Sequence, residues 1–95
     1  MRRNYLIYTL NVDDIKTTVE DLEKKGEMTD QEAVRALQMH LTAVGQYEDK
    51  GLKEKVVKHM KSFIQLLDHQ KENGLISEEA YETLSSDSKS LMKQW

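Results

Sequence analysis

The sequence predicts an all-α protein: a four-helix bundle built from two similar α-hairpins and preceded by a short apolar N-terminal arm. Apolar residues recur every three or four positions in four segments, which is the period of an α-helix. The chain contains no proline, and three of its four glycines, Gly26, Gly51 and Gly74, lie where the periodic segments stop. The two halves of the chain also resemble each other. We therefore expect one domain over residues 12–95, with the arm at residues 1–11.

The first predicted helix covers about residues 12–25. Its apolar stripe consists of Val12, Ile15, Val19 and Leu22. Asn11 is a suitable N-cap, and Asp13 and Asp14 place negative charge where the helix dipole favours it. Gly26 can adopt the left-handed conformation that ends a helix. The segment therefore has a start signal, an apolar face and a stop signal.

The second predicted helix begins after Thr29 and ends near residue 48. Thr29 and Glu32 have the spacing of a capping box, in which each side chain bonds to the backbone of the other residue. The apolar stripe consists of Ala33, Val34, Leu37, Leu41 and Val44. Gly45 weakens this helix by about 1 kcal/mol relative to alanine, so we expect fraying or a bend there.

The third predicted helix covers about residues 53–73, and its apolar face is unusually wide, which indicates contact with more than one neighbour. The face consists of Val56, Val57, Met60, Phe63, Ile64, Leu66 and Leu67. Gly74 ends this helix, and Ser77 is the predicted cap of the fourth. The fourth helix presents a face of Ala80, Tyr81, Leu84, Leu91 and Trp95.

A shift of 48 residues superimposes the two halves: Gly26 falls on Gly74, Met28 on Ile76 and Thr29 on Ser77. Each half therefore contains a helix, a glycine, an apolar residue, a hydroxyl cap and a second helix. Short connections make consecutive helices antiparallel neighbours. Because one hairpin alone would leave its apolar stripe in water, we expect the two hairpins to pack together.

The arm contains the run Tyr-Leu-Ile-Tyr-Thr-Leu at residues 5–10. This run is too short for a secretory signal, because it breaks at Thr9 and polar residues follow at once. Four interpretations stay open. The run could extend the first helix, pack as an apolar arm, pair with another copy of itself, or be vector-derived.

The composition excludes several classes of protein. The chain has no cysteine, which leaves no disulfide framework and no thiolate chemistry. Fourteen basic and seventeen acidic residues give a net charge of −3, whereas a duplex-binding protein normally carries a basic excess on one face. No segment is long and apolar enough to span a membrane. We expect no cofactor and no duplex nucleic acid as a partner.

The residues also indicate no enzyme and no metal site. His59 and His69 lie ten positions apart on one helix, about 15 Å along its axis, so one metal ion cannot bridge them. His40 could meet His59 only across a helix interface, which no spacing predicts. Four serines surround Asp87 without a nearby histidine in the sequence.

The strongest local charge feature is a basic run on the third helix and the connection before it. We take Lys50, Lys53, Lys58 and Lys61 as candidate contacts for an anionic polymer such as teichoic acid. Acidic residues such as Glu54 dilute the run, and a solvated helix face is the alternative interpretation.

Several segments carry a resemblance to a known family. They are ALQMHLTAV at 36–44, KVVKHMKSF at 55–63, LLDHQ at 66–70, GLIS at 74–77 and AY at 80–81. Together they resemble the FIMAH-type helical module that lies near the C-terminal ends of large secreted hydrolases of bacilli and their relatives. The resemblance covers about residues 12–95. It implies a non-catalytic, extracellular accessory domain for surface attachment or interaction, with a protein or cell-wall polymer as partner.

A small cytoplasmic regulator is the alternative function. It would act by binding a partner protein or by self-association, and the chain would be a monomer or a homodimer. Met1, the apolar arm and the wide face of the third helix are the features that favour this alternative.

Overall fold

A computed structural model of the chain describes residues 10–95 and contains four α-helices in that range. They are α1 (Val12–Lys24), α2 (Gln31–Asp49), α3 (Lys53–Glu72) and α4 (Glu78–Lys93). The described residues form no β-strand, and the prediction of an all-α four-helix bundle is confirmed. The hypotheses about the arm concern mainly residues 1–9, which lie outside the described range.

The four helices pack in a closed ring. α1 contacts α2 and α4, and α3 also contacts α2 and α4. Each helix therefore has two neighbours, which confirms that α3 contacts more than one neighbour. No helix in the described part of the chain is both long and apolar enough to cross a bilayer.

The predicted stripes meet in one core. Its fully buried side chains include Ile15 of α1, Leu41 of α2, Phe63 of α3 and Leu84 of α4, each 0% exposed. On α3, the width of the apolar face is shared between buried and half-buried residues. Val56, Met60, Phe63 and Leu67 are buried, whereas Val57, Ile64 and Leu66 are half-buried along the edges. The core thus joins both hairpins.

The glycines at the ends of α1 and α3 adopt the predicted left-handed conformation. Gly26 has φ 83° and Gly74 has φ 73°. After α1, the Glu27 N–H donates to the Leu22 carbonyl at 3.0 Å. After α3, the N–H of Leu75, which follows Gly74, makes the equivalent bond. These bonds satisfy carbonyls that the helix end would otherwise leave unpaired.

The connections inside the two hairpins lie side by side at the same end of the bundle. Met28 and Ile76 form an isolated antiparallel β-bridge, and the Ser77 N–H donates to the Glu27 carbonyl at 3.0 Å. Met28 and Ile76 are the pair that the 48-residue shift superimposes. The sequence repeat therefore corresponds to a structural contact between equivalent residues.

One predicted cap is wrong. The carboxylate of Asp30, not the hydroxyl of Thr29, caps α2, and its Oδ1 accepts from the Ala33 N–H at 2.9 Å. In the second hairpin, the Ser77 Oγ accepts from the Ala80 N–H at 3.0 Å. Asp30 is thus the counterpart of Ser77. An aspartate cap also adds negative charge at the positive end of the helix dipole, which a threonine cannot do.

Hydrogen bonds within α1 and to the end of α4 hold the start of α1 in place. Asn11 and Asp14 form a capping box, with bonds of 2.9 Å and 3.0 Å between side chain and backbone. The Leu10 N–H donates to Gln94 Oε1 at 3.1 Å, and Leu10 packs against the core. Leu10 and Asn11, which the sequence assigned to the arm, are therefore held by the bundle itself.

Candidate functional site

Three of the four candidate lysines line one open groove. Lys53, Lys58 and Lys61 surround Val57 and Glu54 on the outer surface of α3, in a depression of about 430 Å³. The helical period explains this grouping, because Lys53, Val57 and Lys61 are four and eight residues apart and Lys58 precedes Lys61 by three. All three lysines are exposed. We call the depression lined by Lys53, Glu54, Val57, Lys58 and Lys61 the α3 lysine groove.

The rest of the basic run is not in the α3 lysine groove. Lys50 follows the last residue of α2, where its N–H donates to the Gln46 carbonyl at 3.3 Å. Lys55 lies on another side of α3, with its Nζ 5.5 Å from the centroid of the Tyr47 ring. A sequence run of lysines therefore divides between different surfaces.

The α3 lysine groove carries more positive than negative charge. Glu54 is the carboxylate among its lining residues, and the lysines outnumber it three to one. The ion pair found within residues 10–95 joins Lys25 to Glu79 at 3.6 Å, near the connections at the other end of the bundle. The groove lysines are thus available to an anion in solvent.

Aromatic residues meet between α2 and α3, which sequence spacing did not predict. His40 Nε2 donates to the His59 carbonyl at 2.8 Å, and the His40 ring lies 5.8 Å from the Phe63 ring. The His59 ring stacks on Tyr47 with centroids 4.9 Å apart. Since a carbonyl can only accept, the neutral His40 carries its proton on Nε2. The seven-residue spacing of His40 and Tyr47 was the signal that could have shown their common edge of α2.

The histidines do not form a metal site in the described residues. Within residues 10–95, no three His, Cys, Asp or Glu side chains lie close enough to hold an ion. His40 uses Nε2 in the bond to a carbonyl, and His69 Nε2 lies 3.1 Å from the side-chain amide of Asn73. The first contact joins α2 to α3, and the second lies at the C-terminal end of α3.

A second polar cluster joins α3 to α4. The Tyr81 hydroxyl donates to Asp68 Oδ1 at 2.5 Å, and Lys71 Nζ lies 4.6 Å from the centroid of the Tyr81 ring. The bond to Asp68 raises the pKa of the Tyr81 phenol above its ordinary value, because the carboxylate stabilises the protonated hydroxyl. Tyr81 therefore serves as a fixed contact between the two helices.

An acidic opening of about 480 Å³ lies at the start of α1, beside Trp95 and Asp13. Glu48 Oε1 accepts from the Val12 N–H at 3.2 Å. Burial raises the pKa of the Glu48 carboxyl despite this bond, and the negative charge of nearby Asp13 adds to the shift. Glu48 thus holds the first turn of α1 at an electrostatic cost.

Of the four serines near Asp87 in the sequence, Ser85 and Ser88 are buried, whereas Ser86 and Ser90 are exposed. Ser88 is fully buried, and its hydroxyl donates to the Leu84 carbonyl at 2.7 Å. Burial raises the pKa of the Asp87 carboxyl, and the negative charge of Asp14 adds to the shift. The Ser88 hydroxyl therefore belongs to the packing of α4.

Comparison with known proteins gives one match. A family model described as the FIMAH domain matches residues 12–93, which include all four helices. Neither the curated proteins nor the solved structures contain a match.

Proposed function

The chain belongs to the FIMAH domain family, and on that premise we propose that it is a non-catalytic interaction module that attaches a larger exported enzyme to the bacterial cell surface. The partner on the surface is an anionic cell-wall polymer, and the module acts outside the cell. The α3 lysine groove is the observation that carries this proposal.

The groove has the properties that weak attachment to a polyanion requires. Its three ammonium groups lie on one helix within about two turns, so one ligand chain can contact them together. Because these ammonium groups are exposed, a ligand can bind them without desolvating a buried charge. Attraction between such exposed charges is long-ranged at low salt and is screened as salt rises. The expected binding is therefore reversible and salt-sensitive.

Co-sedimentation with insoluble Gram-positive cell walls tests the proposal. The purified chain should pellet with the walls at about 50 mM salt and be released as salt rises towards about 200 mM. The triple variant Lys53→Gln, Lys58→Gln, Lys61→Gln should lose most of this pelleting. Glutamine keeps a similar length and polarity while removing the charge, so the variant should fold normally.

A matched control changes three exposed basic residues near the other end of the bundle: Lys24→Gln, Lys25→Gln, Arg35→Gln. This control has the same net charge as the groove variant and should pellet like the parent. The single variant Lys50→Gln should also pellet like the parent. Absence of pelleting at low salt, or an equal loss in groove and control variants, would refute the proposal.

A further inference from the structure

We propose that the binding surface continues from the α3 lysine groove onto α4, through Lys89 and Lys93, and that its ligand is a flexible phosphodiester polymer. This inference rests on the proposed function, which it makes more specific. Neither α4 lysine belongs to the basic run that the sequence singles out.

The contact between Tyr81 and Asp68 shows which side of α4 lies next to α3. The Tyr81 hydroxyl reaches a carboxylate of α3, and Lys71 of α3 lies over the Tyr81 ring. Tyr81 also lines a groove of about 400 Å³ together with Lys89 and Lys93. That groove therefore runs along α4 from the edge that adjoins α3.

The two grooves lie at the same height in the bundle. Lys61 precedes Asp68 by seven residues, a distance of about 10 Å along α3. Lys89 follows Tyr81 by eight residues, or about 12 Å along α4. Because consecutive helices run antiparallel, both steps lead from the Tyr81–Asp68 contact towards the same end of the bundle.

Distances along the helix axes also place Lys53 and Lys93 at similar heights in the bundle. Lys53 lies about 22 Å from the level of Asp68, and Lys93 lies about 18 Å from the level of Tyr81. Neighbouring helix axes are about 8–10 Å apart, so ammonium groups on α3 and α4 can contact one extended ligand. We call the five residues Lys53, Lys58, Lys61, Lys89 and Lys93 the α3–α4 lysine surface.

The α3–α4 lysine surface is basic although the whole chain is acidic. The carboxylates that line its two grooves are Glu54 and Glu82, against five lysines. Glu82 lies only one residue beyond Tyr81, so about 10 Å along α4 separates it from Lys89. Glu54 lies beside Lys53, so five lysines and one carboxylate share the part of the surface between the levels of Lys53 and Lys61, where positive charge dominates.

The chemistry of this surface suits repeated single negative charges. Lysine ammonium groups contact phosphate as point charges, without the planar geometry that arginine imposes. The exposed hydroxyls of Ser86 and Ser90 line the α4 groove and can donate to phosphate oxygens. Lys71 lies over the Tyr81 ring, and no other aromatic residue lines either groove, so base stacking has no platform there. A flexible chain of phosphodiesters fits these features better than a nucleic acid read by its bases.

The test uses purified poly(glycerol phosphate) as the probe, with fluorescence polarisation of a labelled polymer as the readout. Affinity is measured over a series of salt concentrations for the parent chain and two variants. The test variant is Lys89→Gln, Lys93→Gln, and the control is Lys24→Gln, Lys25→Gln, which has the same net charge. If each lysine of the surface neutralises one phosphate, the slope of log K against log salt should be about −3.5 for the parent and about −2 for the test variant. The control should keep the slope of the parent.

The outcomes separate this inference from the proposed function. A parent-like slope for Lys89→Gln, Lys93→Gln would overturn the extension onto α4, while loss of pelleting in the α3 groove variant would still support attachment. Equal pelleting with walls before and after removal of their phosphodiester polymers would overturn the ligand assignment, again leaving attachment intact. Binding of a polyuronate as strong as that of poly(glycerol phosphate) would also refute the preference for phosphodiesters. Circular dichroism of each variant verifies its fold.

Discussion

The same chemical change, glycine to alanine, should have opposite effects on stability at two positions of this bundle. Gly45 lies inside α2, which continues through it without interruption to Asp49. A Cβ at this position would lie 3.8 Å from Val12 Cγ1, an ordinary van der Waals distance. Alanine loses less backbone entropy than glycine in a helix, a difference of about 0.8–1.0 kcal/mol. Gly45→Ala should therefore stabilise the fold by about 1 kcal/mol.

Gly74 is the matched control because it offers space but not the right backbone. No atom lies within 4 Å of its would-be Cβ, yet its φ is +73°. An L-residue in the left-handed region costs about 1–2 kcal/mol. Gly74→Ala should therefore destabilise the bundle by about 1 kcal/mol, after allowing for the lower entropy of its unfolded chain.

Thermal and urea unfolding followed by far-UV circular dichroism measures both changes. For a domain of this size, 1 kcal/mol corresponds to a shift in Tm of about 4–8 °C. We expect the Tm to rise for Gly45→Ala and to fall for Gly74→Ala. A lower Tm for Gly45→Ala would refute the conclusion that a methyl group at position 45 fits against Val12 without strain. An unchanged Tm for Gly74→Ala would refute its role in ending α3.

Two further predictions concern the core and the start of α1. Phe63 is 0% exposed, so Phe63→Ala should destabilise the bundle by about 3–5 kcal/mol and lower its Tm by more than about 10 °C in a thermal melt. Glu48→Gln should raise the Tm at about pH 7 and lose this advantage at about pH 3, because only the ionised carboxylate is penalised by burial.

The sign of the second prediction follows from the raised pKa of Glu48. The folded state holds the proton more tightly than the unfolded state, so the fold loses stability as pH rises from about the ordinary value of 4.5 through the raised pKa. Glutamine keeps an oxygen that can accept from Val12 without this penalty. A difference in Tm between Glu48→Gln and the parent that stays constant at all pH values would contradict this explanation.

For the prediction about the core, Met39→Ala is the control because Met39 is 65% exposed. A loss of stability similar to that of Phe63→Ala would contradict the assignment of the core.

Local sequence signals predicted the helices well because each signal acts within a few residues. Asn11 and Gly26 mark the start and end of α1, and their bonds are made to backbone groups three to five residues away. The prediction of Thr29 as the cap of α2 was wrong because it also depended on local spacing alone. Thr29 and Asp30 are adjacent candidates, and the capping-box spacing of Thr29 and Glu32 favoured threonine although aspartate is the stronger N-cap. Asp30 makes the bond to Ala33.

The candidate surface was only partly predictable. The period of α3 places Lys53, Lys58 and Lys61 near one another, since all three belong to one helix. Lys50 was included because it is near in sequence, but it follows the end of α2 and does not line the groove. Lys89 and Lys93 were missed because they lie on another helix, and only the packing of α4 against α3 relates the two.

The sequence by itself determined the number of helices, their approximate limits, most residues of the core and the similarity of the two hairpins. These depend on the period of apolar residues and on caps, which are short-range properties of one chain segment. Only the tertiary structure decided which helix edges meet: His40 with His59, and Asp68 with Tyr81. The reason is physical. An apolar stripe fixes which face of a helix is buried, but the rotation and height of its neighbour depend on how all four helices pack at once.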